Sequence, residues 1–120
     1  MAKYKRWIGS RVMDSLTGLR TGWRREASLR LHFSLALLGI IVTILVRPPL
    51  PWTIGFLVLL VLSAAIELMN AALEALLDRL HPAHDPEIGA AKDLASAAAF
   101  VVNVAAGAMG IAAIWAGIRG

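Results

Sequence analysis

Three long apolar segments constrain the fold of this chain more than any motif does. Residues 31–46, 52–66 and 94–118 contain no Asp, Glu, Lys or Arg, and apolar residues make up 58% of the 120 residues. A helix needs about 20 residues to cross a hydrocarbon layer of about 30 Å. We therefore predict an all-α membrane protein, in which residues 1–120 form one domain and three helices cross the bilayer.

Prolines and polar residues mark the ends of the predicted helices. Three prolines between Arg47 and Trp52 end the first membrane helix, and Pro82 and Pro86 lie in a polar stretch after the second. We predict a surface helix at 1–29, membrane helices at 30–47, 52–80 and 90–118, and a polar loop at 81–89. The two histidines of this loop, His81 and His84, are interpreted as solvated residues rather than metal ligands.

The predicted surface helix is amphipathic. Its apolar residues are spaced four, four, three and four positions apart, which is the helical period: Ile8, Val12, Leu16, Leu19 and Trp23. Arginines occupy much of the remaining surface. A helix with this pattern is expected to lie in the plane of the lipid headgroups.

The basic residues predict the orientation in the membrane. Eight of the twelve Lys and Arg residues lie in residues 1–30, and Arg79 and Lys92 flank the predicted loop, so ten of twelve lie on one side. Cationic residues collect on the cytoplasmic side of membrane proteins, where they also meet anionic lipid. This pattern favours a membrane partner over nucleic acid, although the net charge is +4.

Four polar side chains interrupt the apolar surface of the second membrane helix near its end. Glu67, Asn70, Glu74 and Asp78 are spaced three, four and four residues apart. On a helix they lie within about 80° of one another. A buried unpaired charge is unfavourable, so carboxylates on a membrane helix indicate a functional site.

Other polar side chains are predicted at the same depth. Glu26 and Arg30 precede the first membrane helix, and Lys92, Asp93 and Ser96 begin the third. Mg²⁺ is bound by one or two carboxylates together with phosphate oxygens, and a lysine binds phosphate as a point charge. These groups suit phosphoryl transfer, but no glycine-rich phosphate loop is present. The spacing alone also allows a proton or ion carrier.

Two extended motifs resemble the prokaryotic diacylglycerol kinases, the small membrane lipid kinases that include undecaprenol kinases. The motifs are Glu67-x-x-Asn70-x-x-x-Glu74-x-x-x-Asp78-Arg79 and Ala91-Lys92-Asp93-x-x-Ser96-Ala97, preceded by Trp23-x-x-Glu26-Ala27-x-x-Arg30. The resemblance covers the chain from about Ser15 to its end. It implies a homotrimer with three transmembrane helices per subunit and an N-terminal amphipathic surface helix. It also implies a bacterial cytoplasmic membrane enzyme that transfers the γ-phosphate of MgATP to a lipid hydroxyl.

The resemblance also implies roles for the charged residues. Glu67 is the candidate catalytic base. Glu26 and Glu74 would hold the divalent cations that bridge the phosphates of ATP. Lys92 and Asp93 would contact the nucleotide, with Lys92 also taking part in catalysis. The active sites of the family lie at contacts between subunits, on the cytoplasmic face.

Polar and aromatic residues complete the set that the resemblance implies. Asn70 and Ser96 would orient the base and the substrate, and Arg30 and Trp115 would lie near the lipid. Asn103, on the third membrane helix, is not part of the motifs. Because polar residues in membrane helices commonly bond across to another helix, we predict an interhelical hydrogen bond from Asn103.

The lipid substrate is less firmly predicted, because two positions differ from the diacylglycerol branch. His32 stands where many of those kinases have an acid, as in the undecaprenol branch, and Asp14 replaces a tyrosine of the adenine side. The segment Gly89–Ser96 resembles the diacylglycerol branch. We predict a diacylglycerol kinase, with an undecaprenol kinase as the alternative. From other classes, a small proton or ion transporter and a catalytically silent assembly subunit remain alternatives.

Overall fold

The computed structural model describes residues 8–120, which are helical throughout apart from short connections. Four helices follow in order: α1 (Ile8–Arg25), α2 (Ala27–Val46), α3 (Leu50–Leu80) and α4 (Pro86–Arg119). The helices α2, α3 and α4 are long and apolar enough to cross a membrane. The predicted all-α class with three membrane-length helices is therefore confirmed. Residues 1–7 of the predicted surface helix lie outside the described residues.

A tight turn joins α2 to α3 at one end of the molecule, here called the turn end. Arg47 ends α2 in the left-handed conformation, with φ 55° and ψ 59°, and its N–H donates to the carbonyl of Thr43 at 3.0 Å. Pro49 caps α3, and a proline is also found in its first turn. Proline is tolerated there because its missing N–H has no partner in a helix's first turn. The helix therefore begins at Leu50, two residues before its predicted start.

The other end, here called the loop end, contains the junction of α1 with α2 and the connection from α3 to α4. That connection is shorter than the predicted loop at 81–89, because α4 already begins at Pro86. The carboxylate of Asp85 accepts the N–H of Glu87 at 2.8 Å, and Pro86 occupies the first helical position. Together these two residues start a helix. Pro86 therefore starts α4 instead of breaking the chain.

The junction of α1 with α2 is a single extended residue, Glu26, with φ −112° and ψ 106°. Arg30 fixes this corner: its Nη1 donates to the carbonyl of Trp23 at 2.6 Å and to that of Arg24 at 3.3 Å. The last carbonyls of a helix lack intrahelical partners and carry partial negative charge. A guanidinium there satisfies two of them and holds α1 against the start of α2.

The unequal lengths of the helices determine which residues lie beyond the apolar part. With 20 residues α2 is about 30 Å long, which matches the hydrocarbon layer. With 31 residues α3 is about 46 Å long. The two are antiparallel, so residues 50–69 of α3 run alongside α2. The side chains of Leu29 of α2 and Leu68 of α3 both lie against Gly22 of α1. These two residues are therefore at the same height at the loop end. Residues 70–80 of α3 therefore extend beyond α2.

The core between the three long helices is small and centred on one aromatic ring. Phe56 of α3 is 6% exposed. A Cβ added at Gly39 of α2 or at Gly110 of α4 would lie 2.8 Å from this ring. The helices α3 and α4 make the most extensive contact. Most large apolar side chains on α2–α4 are exposed, as expected of surfaces that meet lipid or another copy of the chain.

The packing of Phe56 predicts the effect of adding one methyl group. Gly110→Ala should lower the unfolding temperature in detergent, because the ring is also held by Gly39 and overpacking costs about 1–3 kcal/mol. Gly107→Ala is the matched control, since a Cβ there meets no atom of the chain within 4 Å. Thermal unfolding followed by circular dichroism compares them. Equal unfolding temperatures for the two variants would contradict the packing.

The role of Arg30 at the corner predicts local opening of α1. Arg30→Met should speed amide hydrogen exchange in the last two turns of α1 by about tenfold, because hydrogen bonds to charged groups contribute about 1.5–3 kcal/mol. Arg20→Met removes an exposed arginine from the same helix and should leave exchange there unchanged. If both variants exchange like the unsubstituted protein, Arg30 does not hold the corner.

Candidate active site

The acidic stripe of α3 runs outward from the edge of the apolar part. Glu67 lies within one turn of Met69, the last residue alongside α2, while Glu74 and Asp78 lie about 8 and 14 Å beyond Met69 along the axis. Glu67, Asn70 and Glu74 are half-buried, whereas Asp78 is exposed. The stripe thus begins at the apolar boundary and ends among the polar residues of the loop end.

At its outer end the stripe is paired with a lysine of α4. Lys92 Nζ donates to Asp78 Oδ1, and the two side chains are 34% and 64% exposed. A pair this exposed stabilises a fold by only about 0–1 kcal/mol. Its main consequence is positional, because it holds the ammonium of Lys92 over the stripe while leaving it accessible.

At its inner end the stripe is hydrogen-bonded to a side-chain amide of α4. Asn103 Nδ2 donates to Glu67 Oε1 at 2.9 Å. The predicted interhelical hydrogen bond from Asn103 is therefore confirmed, and its partner is the carboxylate that the sequence motif singles out. An ionised carboxylate only accepts hydrogen bonds, so an amide N–H is a suitable partner.

These two contacts fix the register of the antiparallel α3 and α4. Asp78 and Glu67 are 78 − 67 = 11 residues apart, and Asn103 and Lys92 are 103 − 92 = 11 residues apart. Ser96, four residues after Lys92, is therefore level with Glu74, four residues before Asp78. The exposed Ser96 and the half-buried Glu74 thus belong to one level of the α3–α4 contact.

Asn70 carries an unsatisfied acceptor in the middle of the stripe. Its Oδ1 is buried and, within residues 8–120, has no hydrogen-bond partner. A buried polar atom without a partner costs about 1–3 kcal/mol. A hydroxyl or ammonium donor brought by a ligand or by a second copy of the chain would remove that cost.

Glu26 lies on a different side of α3, in a cleft between α1 and α3. The cleft has a volume of about 760 Å³. One wall is the polar side of α1, including Asp14, Ser15 and Arg25, and the other wall is formed by small residues of α3 from Leu68 to Ala75. Glu26 is half-buried there. A cleft of this size with a carboxylate at its end can hold a ligand of several rings or a lipid headgroup.

Glu74, the other carboxylate predicted to bind metal, is not among the residues that line the cleft of Glu26. In the described part of the chain, no group of three His, Cys, Asp or Glu side chains is close enough to hold a metal ion. Hard carboxylate oxygens still suit Mg²⁺, which needs only one or two of them when it is bound with phosphates.

The remaining predicted residues are spread along the chain. Asp93 is exposed beside Lys92. Arg30 is bonded to the end of α1, as described above. Trp115 is 61% exposed near the turn end, where the guanidinium of Arg119 lies 5.8 Å from its ring centroid. Trp115 is twelve residues beyond Asn103, so it is about 18 Å from the level of Glu67 along α4.

One residue and one ion pair of the site were not identified from the sequence. Ser63, which is fully buried, bonds to Asn103; it lies four residues before Glu67, so the helical period places it on the same face. The pairing of Asp78 with Lys92 depends on the register of α3 against α4. The predicted loop at 81–89 was too long, so the sequence did not indicate this register. Spacing could have indicated Ser63 but not this ion pair.

Comparison with known proteins agrees with this architecture. The family described as prokaryotic diacylglycerol kinase matches residues 13–114. The diacylglycerol kinases of Escherichia coli strain K12 and of Shigella flexneri are each 28% identical over 92 residues, covering 77% of this chain and 75% of theirs. With three membrane-length helices and a match over most of its length, this chain is a multi-pass membrane protein that belongs to the prokaryotic diacylglycerol kinase family, a family of lipid kinases.

Proposed function

We propose that this protein transfers the γ-phosphate of MgATP to the primary hydroxyl of diacylglycerol, giving phosphatidic acid. The observation that carries the proposal is the acidic stripe, which starts at the apolar boundary with Glu67 and ends in water with the pair Asp78–Lys92. One substrate of such a reaction is dissolved in water and the other in lipid. A site that bridges the boundary is the arrangement that this reaction requires.

Glu67 is the proposed catalytic base. A carboxylate cannot ionise a free alcohol at neutral pH, so it accepts the proton as the O–P bond forms. Its level at the apolar boundary matches the depth of a lipid hydroxyl. In the described part of the chain, Oε1 of Glu67 is bonded to Asn103 and Oε2 has no protein partner, so Oε2 is the oxygen that would face the substrate.

The nucleotide side of the proposed site is charged. Lys92 would neutralise phosphate charge, while Asp93, exposed beside it, would contact the nucleotide. Glu26 and Glu74 would hold Mg²⁺ together with the phosphate oxygens of ATP. Bound Mg²⁺ offsets the charge on the phosphates.

The lipid side would use the remaining residues of the motifs. The unsatisfied Oδ1 of Asn70 is a suitable acceptor for a substrate or base contact, and Ser96, level with Glu74, adds a hydroxyl. Arg30 would lie near the headgroup while its Nη1 stays bonded to α1. Trp115, far along α4, could reach only the distal part of a lipid chain.

We propose that the working form is a homotrimer in the bacterial cytoplasmic membrane, with its active sites on the cytoplasmic face. Within one chain Glu26 lines the α1–α3 cleft and Glu74 does not, which supports sites that are shared between copies. The apolar stripe of α1 is 44–82% exposed, which suits a helix lying on the membrane surface. The sequence pattern, in which ten of twelve basic residues are predicted on the side of the loop between the second and third membrane helices, supports a cytoplasmic orientation of the loop end.

Undecaprenol is the second candidate substrate, and one observation favours it. His32 lies in an apolar groove of about 330 Å³ between α2 and α3, and its Nε2 is buried without a partner among residues 8–120. His32 stands where many diacylglycerol kinases have an acidic residue, and at this position the chain resembles the undecaprenol branch. The motif segment Gly89–Ser96, by contrast, resembles the diacylglycerol branch.

A proton or ion transporter is less consistent with the charge distribution. No charged residue occurs in 31–46, 50–66 or 94–118, and the acidic residues lie on only one side of these segments. A conduction pathway needs polar groups through the membrane. A site at one end fits a surface enzyme.

The proposal predicts the outcome of a kinase assay in mixed micelles with Mg²⁺ and labelled ATP. Glu67→Gln should lower kcat about 100-fold or more, in line with the loss of a general base, and Glu74→Gln should abolish phosphorylation by removing a metal ligand. Diacylglycerol and undecaprenol are assayed in parallel, and phosphatidic acid is the expected product.

Glu87→Gln provides the matched control, because Glu87 is exposed in the first turn of α4 and outside the stripe. It should retain turnover. Normal turnover of Glu67→Gln or of Glu74→Gln would remove that residue from the mechanism. Phosphorylation of undecaprenol alone would replace the diacylglycerol assignment with the second candidate.

A further inference from the structure

Three polar side chains form a continuous hydrogen-bonded relay between α3 and α4. Ser63 of α3 is fully buried, and its hydroxyl donates to Asn103 Oδ1 of α4. Asn103 Nδ2 in turn donates to Glu67 Oε1 at 2.9 Å. Because Ser63 and Glu67 are four residues apart, they lie on one face of α3. The hydrogen bonds therefore join Ser63 of α3 to one amide of α4, and that amide to Glu67, one turn further along α3.

The directions of these bonds depend on one another. An ionised carboxylate can only accept, so the NH₂ of Asn103 has to face Glu67 and its carbonyl has to face Ser63. A hydroxyl can donate to that carbonyl, which an alanine or valine cannot. The carboxylate of Glu67 thus determines which end of the amide it meets, and the Ser63 hydroxyl stabilises that orientation by donating to the carbonyl.

The relay leaves the carboxylate of Glu67 with one held oxygen and one free oxygen. Within residues 8–120, Oε1 is bonded to Asn103 and Oε2 has no hydrogen-bond partner. A glutamate has three side-chain torsions, and a hydrogen bond to one oxygen restricts them. A general base has to be within hydrogen-bond reach of the proton that it accepts, so this restriction matters for the chemical step.

We propose that Asn103 and Ser63 are positioning residues for Glu67: the Ser63 hydroxyl stabilises the orientation of the Asn103 amide, and the amide holds the carboxylate with Oε2 toward the lipid hydroxyl. This rests on the proposed role of Glu67 as the base. Neither residue belongs to the family motifs described above. The relay acts on proton transfer and not on nucleotide binding, because Lys92 and Asp78 lie eleven residues away on their helices.

The test compares Asn103→Leu, Asn103→Asp, Ser63→Ala and the double variant Ser63→Ala/Asn103→Leu in the mixed-micelle kinase assay. Asn103→Asp keeps the shape and the acceptor for Ser63 but replaces the donor that faces Glu67. Both Asn103 variants should lower kcat about tenfold, equivalent to about 1.4 kcal/mol, with the KM for MgATP unchanged. Ser63→Ala should lower kcat less, and the double variant no further than Asn103→Leu.

Thr43→Val is the matched control. Thr43 is a buried hydroxyl of α2 that donates to the carbonyl of Gly39 at 2.8 Å, so its removal tests the loss of a buried hydroxyl away from Glu67. It should retain kcat. Helix content and unfolding temperature are measured for every variant, so that a loss of folded protein is separated from a loss of turnover per folded molecule.

Two results would overturn the positioning role. One is an unchanged kcat per folded molecule in both Asn103 variants, and the other is a multiplicative loss of kcat in the double variant. Glu67→Gln, assayed alongside, separates this failure from failure of the proposed function. An inactive Glu67→Gln with fully active Asn103 variants defeats the relay alone, whereas an active Glu67→Gln defeats the base itself and the relay with it.

Discussion

A carboxylate on a membrane helix must be paired, hydrogen-bonded or close to water, because transfer of an isolated charge into hydrocarbon is strongly unfavourable. The helix α3 meets this constraint by its length. Its residues 50–69 run alongside α2, and its last eleven residues extend beyond it. The extension carries Glu74 and Asp78 into the polar region and leaves Glu67 at the boundary, where Asn103 bonds to it. The position of the site therefore follows from the excess length of α3, and α4 supplies the partners along the stripe.

The sequence predicted the parts of this arrangement that depend on periodicity and composition. The uncharged segments gave the three membrane-length helices, and the spacing from Glu67 to Asp78 predicted one polar face. Spacing could not predict the exact start of α4, because Pro86 both breaks a preceding helix and suits a first helical position. It also could not predict that Arg47 would end α2 in a left-handed conformation. The contacts of Lys92 with Asp78 and of Asn103 with Glu67 depend on the register of two helices, which no single-helix pattern contains.

The position of the acidic residues at one end also explains how a small chain could act on two very different substrates. In the proposed reaction the nucleotide stays among Lys92, Asp93 and the loop end, while the lipid alcohol reaches Glu67 from the apolar side. Glu26 lines the α1–α3 cleft, and Glu74 is not among its lining residues. This arrangement favours the proposed assembly in which copies share their sites.

In the proposed mechanism MgATP is bound at the loop end, beside the outer part of the acidic stripe. The chain has no cysteine, so a nitroxide label can be placed at one position, either by Ala90→Cys or by Ile118→Cys, both on exposed positions of α4. The two sites are about 42 Å apart along the helix. With Mn²⁺ in place of Mg²⁺, bound ATP should strongly enhance the relaxation of the label at position 90 and leave that at position 118 unchanged. Equal enhancement at both positions, or a stronger effect at 118, would contradict the account.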